Sequence, residues 1–96
     1  MNRDQRAKAT ALMAVHFGGP RGDDERCFVR GLDFLASQEE QRPLSWRQRF
    51  FLDVLVWRYR AQLAGQPHLG FELPREAPRE CEYEPHDGRP VQGGFW

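Results

Sequence analysis

Ninety-six residues allow one domain with a single modest core, because a chain this short buries a smaller fraction of its surface than a longer one. Fourteen basic residues offset fourteen acidic ones while 12% of the chain is aromatic, so the overall charge favours neither a polyanion nor a membrane surface. No run approaches the roughly 20 apolar residues of a spanning helix, and the apolar part of MNRDQRAKATALMAVHFGG is too short, and broken by His16, to serve as a secretory leader.

A cytoplasmic protein without membrane contact is therefore expected, and Cys27 and Cys81 should be reduced there, with a bond between them as the alternative. Residues 1–65 hold eleven basic and eight acidic side chains, residues 66–96 three and six, so a weakly basic body carries an acidic tail. Thirteen of the basic residues are arginine, only Lys8 is lysine, and isoleucine is absent, a bias expected of GC-rich bacterial or phage coding.

In chain order, the first helix is predicted from Asp4 to about Phe17, with Ala11, Leu12 and Val15 at helical spacing and Gly18, Gly19 and Pro20 as its stop. Asp23 or Asp24 should cap a second helix, whose apolar stripe is Phe28, Gly31, Leu32 and Leu35, widened by Cys27, Val29, Phe34 and Ala36. The short QEEQRP connection predicts that it pairs antiparallel with a third helix. That third helix has a capping-box spacing at Ser45 and Gln48, and Gly65 is expected to close it in a left-handed conformation. The intervening 19 or so residues would span roughly 28 Å.

Projected at about 100° per residue, the third helix has two apolar faces. Phe51, Leu52, Leu55, Val56, Tyr59 and Leu63 form one; Trp46, Phe50, Val54, Trp57 and Ala61 form the other. Arg47 and Arg58 mark one boundary, and Arg49, Arg60 and Asp53 the other. Either the first two helices cover both faces, or the Trp46, Phe50 and Trp57 face stays partly open as a docking surface, with tryptophan and arginine the types enriched at binding hot spots.

The segment after Gly65 is too rich in proline and glycine for a long helix. The alternation in Leu69–Leu73 and Glu80–Glu84 predicts either a two-stranded hairpin or an extended segment pinned by Phe71, Tyr83, Phe95 and Trp96. Chemical motifs are weak. Cys27, Cys81, His16, His68 and His86 lack paired zinc-ligand spacing, Ser45 and Ser37 read as helix-end residues, and Glu39 and Glu40 read as a solvated loop. The GGPRG turn lacks the lysine and hydroxyl of a phosphate loop. A non-catalytic protein with no cofactor and no metal is expected. Nucleic-acid binding through the arginines of the third helix is the second reading, weakened because a recognition helix should present one largely polar face.

Residues 25–63 add a resemblance: Phe28, Val29 and Leu32, then Leu44, Ser45 and Gln48, then Trp57 to Arg60 are similar to the helical hairpins of small accessory proteins of phages and other mobile elements. Anti-CRISPR proteins are one such class. The resemblance implies a binding protein, an inhibitor or adaptor acting on a host protein or ribonucleoprotein complex, with a homodimer as another way to cover the open face. The expected fold is mainly α, a three-helix domain over 1–65 with an antiparallel hairpin, and a loop-rich or two-stranded acidic segment over 66–96. Trp46, Phe50, Trp57, Arg47, Arg49, Arg58 and Arg60 are the expected partner-binding residues.

Overall fold

The computed structural model describes residues 1–39, 42–67 and 69–84. Among these residues the elements are α1 (Arg3–Leu12), α2 (Gly22–Ala36), α3 (Trp46–Arg58), α4 (Arg60–Ala64) and a 3-10 turn at Glu80–Glu82.

A capping box starts α1: the Gln5 amide donates to Asn2 Oδ1 at 2.8 Å, and the Asn2 amide donates to Gln5 Oε1 at 3.0 Å. The helix ends at Leu12, short of the predicted Phe17, yet Val15 and Phe17 remain buried. The Ala14 amide donates to the Ala11 carbonyl and the Val15 amide to the Leu12 carbonyl, turning the chain tightly, so the Val15 and Phe17 side chains reach the core from a turn.

No side chain caps α2. Arg21 holds the N-cap position, and Asp23 and Asp24, expected as caps, lie inside the first turn with Glu25, where the helix dipole favours negative charge. The reason is steric: a Cβ on Gly22 would lie 2.2 Å from the Phe17 carbonyl oxygen, so the preceding chain folds back onto the first residue of the helix. The buried stripe of α2 is Glu25, Phe28, Val29 and Leu32, with Ala36 packed at its end. Cys27, Gly31, Phe34 and Leu35, assigned to the stripe by hydrophobicity, are exposed, Phe34 by 64%. The spacing from 25 to 32 is helical, and a carboxylate fills the first core position.

The predicted Ser45–Gln48 box caps α3, with the Gln48 amide 3.2 Å from Ser45 Oγ and the Ser45 amide 2.9 Å from Gln48 Oε1. The helix does not run unbroken to Gly65. It leaves helical geometry at Tyr59 (φ −105°, ψ 21°) and resumes as α4. Gly65 has φ −80°, ψ −7°, in the right-handed region, so the expected left-handed closure is absent there.

Phe28 of α2 meets Phe51 of α3 edge to face at 4.7 Å, while Glu25, near the start of α2, contacts Arg58 and Tyr59 at the end of α3. The two helices are therefore antiparallel, as the short connection requires. α1 packs against both. Leu12, Leu32, Leu52, Leu55 and Leu63 form the driest part of the core, each contributing about 1.5–3 kcal/mol by burial.

Beyond Gly65 the chain lies along the helical body. Gln66 donates to the Ala11 carbonyl at 2.9 Å, and Leu69, Phe71 and Leu73 pack against the core. Leu69–Leu73 forms no strand among the described residues, and Glu80–Glu82 is the 3-10 turn. The alternation has another cause: alternate side chains of an extended segment point the same way, and here they point at helices. Phe95 and Trp96 lie outside the described residues. Among the described residues no helix is long and apolar enough to cross a membrane.

Two glycine replacements separate these constraints. Gly31, mid-helix with nothing within 4 Å of an added Cβ, should gain roughly 0.4–1 kcal/mol when replaced by alanine. Gly22→Ala should instead cost about 1–3 kcal/mol through overpacking. Urea midpoints of the two variants should shift in opposite directions.

Candidate docking surface

The residues of the second apolar face of α3 meet different fates. Trp46 is buried, 9% exposed, and its Nε1 has no hydrogen-bond partner among the described residues. In this conformation it offers no surface, and spacing alone had grouped it with Trp57. Phe50, Val54 and Trp57 are half-buried, and Ala61 is exposed.

The arginines divide in the same way. Arg60 places its guanidinium carbon 3.7 Å from the centre of the Trp57 ring and donates to the Trp57 carbonyl at 2.7 Å. Arg47 lies 5.3 Å from the Trp46 ring. Both distances are within cation–π range, so each arginine is held over an indole. Arg58 instead braces the fold, because its Nη1 donates to Glu25 Oε2 beside Tyr59 Oη, which donates to Glu25 Oε1 at 2.6 Å. Glu25 is 2% exposed, and these two donors satisfy the carboxylate. Of the arginines nominated for a partner, Arg58 is thus anchored to the fold.

On the other flank, Asp53 accepts from Lys8 Nζ at 2.9 Å through Oδ1 and from Tyr83 Oη through Oδ2. Lys8 is also 2.9 Å from Asp4. The Tyr83 ring lies 5.4 Å from that of Phe50. One carboxylate thus joins α1, α3 and the C-terminal segment, and Tyr83 covers part of the Phe50 face. The pairing of Lys8 with Asp53 was missed in the sequence, although the chain has one lysine and α3 one acid.

Burial and the hydrogen bond to Asp53 push the Tyr83 phenol well above the usual tyrosine range, and burial and Glu25 raise Tyr59. Burial pulls the Lys8 ammonium down, but hydrogen bonds to Asp4 and Asp53 outweigh it, and the net shift is upward.

Two hollows flank the face. One of about 540 Å³ lies between α2 and α3, bounded by Arg21, Asp24, Glu25, Phe28, Phe51 and Arg58. Its two arginines and two carboxylates leave no dominant sign of charge. The other, about 260 Å³, sits under the C-terminal segment beside Lys8, Asp53 and Tyr83, with Glu72, Glu76 and Glu82 on its rim. Cys27 and Cys81 are exposed free thiols. His68 and His86, weighed as zinc ligands, lie outside the described residues.

Arg58→Gln should lower stability by about 1–3 kcal/mol, because it strips one of two donors from a buried carboxylate. Arg47→Gln should stay within about 0.5 kcal/mol, as surface changes do; equal effects in chemical unfolding would refute the anchoring role. The three raised groups favour the protonated form in the fold, so their stabilisation is complete below about pH 10 and fades as pH climbs through the raised values. Unfolding midpoints should therefore fall in that alkaline window, and less steeply for Tyr83→Phe.

Comparison with known proteins returns no matching family model, no matching curated protein and no matching solved structure.

Proposed function

We propose that this chain is a non-catalytic binding protein, an inhibitor or adaptor of the mobile-element type, including the anti-CRISPR type, that docks a host protein or ribonucleoprotein complex. The observation that carries this reading is the Trp57–Arg60 pair: a half-buried indole on the side of α3 away from the core, with a guanidinium stacked on it. Such a pair is pre-organised, so less side-chain freedom is lost when a partner covers it. Arg47, exposed on the same helix, and the half-buried Phe50 extend the surface. The hairpin resemblance over residues 25–63 supports the mobile-element origin.

Nucleic-acid binding is the second reading. It is weakened because Arg58 commits its charge to Glu25, leaving Arg47, Arg49 and Arg60 for phosphates.

Immobilised protein should capture one specific protein or complex from nuclease-treated bacterial lysate, and Trp57→Ala should reduce that capture at least tenfold while circular dichroism and melting stay near wild type. Unchanged capture would exclude the Trp57–Arg60 surface. Capture lost on nuclease treatment, with steep salt dependence, would favour the nucleic-acid reading.

A further inference from the structure

The C-terminal segment shows what chemistry the outer face of α3 accepts. Tyr83 lays its ring near Phe50 and donates to Asp53, and it is flanked by Glu82 and Glu84, with Glu80 one turn away. Arg49, on the same helix, acts electrostatically on the Tyr83 phenol. Arg47, one turn before Phe50, and Arg60, at the start of α4, are exposed. An aromatic ring whose chain neighbours are exposed glutamates therefore sits against the aromatic part of a face that also carries arginines, so the ring-on-ring part of the contact is already realised within one chain. Trp57 and Arg60, two to three turns beyond Phe50, continue this face.

We propose that residues 79–84 act as an internal stand-in for the partner, and that the partner presents an acidic segment bearing a tyrosine or similar aromatic, which displaces Tyr83 from Phe50 and extends onto Trp57. This rests on the docking reading above and names its ligand class. The apolar part of the contact comes from ring-on-ring burial, and the carboxylates supply attraction to Arg47, Arg49 and Arg60. The tethered segment competes at an effective concentration in the millimolar range, so it shields Phe50 and raises the affinity a partner must have. A partner lacking either element would fail to dislodge it.

The test uses the full chain and a synthetic peptide of residues 78–84 carrying Cys81→Ser, followed by NMR titration. The peptide should bind the Tyr83→Ala chain at least tenfold more tightly than the wild-type chain, shifting the Phe50 and Trp57 amides. A peptide with its tyrosine replaced by alanine should lose this binding, and Arg49→Gln in the Tyr83→Ala chain should weaken it severalfold. Tyr83→Phe, which keeps the ring and drops only the hydrogen bond, should give a smaller gain and carries the comparison if Tyr83→Ala does not fold. Equal affinity for wild type and variant, or no binding to either, would overturn the proposal. So would dimerisation of the Tyr83→Ala chain by light scattering, or its preference for an oligonucleotide over the peptide. If the peptide fails while Trp57→Ala still abolishes protein capture, the docking face stands and only this ligand class is lost.

Discussion

The buried carboxylate of Glu25 is the contact on which the arrangement of the helices depends. A charge at 2% exposure is tolerable only when its lone pairs are met, and the two donors come from adjacent residues, Arg58 and Tyr59, at the end of α3. The start of α2 is thereby tied to the end of α3, in the antiparallel sense the short connection imposes and in the register that brings Phe28 onto Phe51. Tyr59 is held twice, since its ring also packs edge to face on Phe17 at 5.0 Å. The backbone departs from helical geometry at this doubly anchored residue, with neither glycine nor proline nearby to break it. Replacing such a pair by apolar side chains is often neutral or stabilising, whereas removing one partner is costly.

Asp53 plays the corresponding part on the other side of α3. By accepting from both Lys8 and Tyr83 it joins α1 and the C-terminal segment to a helix whose second face would otherwise be widely open. The two apolar faces are consequently covered by different means. Leucines and valines from three helices seal one. The other is covered in part, by Tyr83 over Phe50, and the indole of Trp57 is left under the guanidinium of Arg60.

This division bears on function. A surface of seven residues, as spacing would assign it, contracts to a ridge of Phe50 and Trp57 with Arg47, Arg49 and Arg60 around it. Trp46 is withdrawn by burial and Arg58 by ion pairing. What remains is small and is covered in part by Tyr83; under the docking proposal, a partner exchanges with the chain's own acidic segment.

The amino-acid order by itself determined the features that depend on neighbours within a turn or two of helix: the capping box at Ser45 and Gln48, the helical character of the three main segments, and the division of α3 into two greasy faces. Hydrophobicity misled where a polar residue takes a core position, as Glu25 does, whereas the alternation at Leu69, Phe71 and Leu73 suited a strand pair and a pinned extended segment equally, and these side chains pack against the helical core. Tertiary structure alone decided which indole is buried, which arginine is anchored, and where α3 breaks. These outcomes turn on pairs separated by 30 to 45 residues, Tyr83 with Asp53, Glu25 with Arg58 and Lys8 with Asp53. No local period encodes such pairs, because they form only once the helices have been brought together.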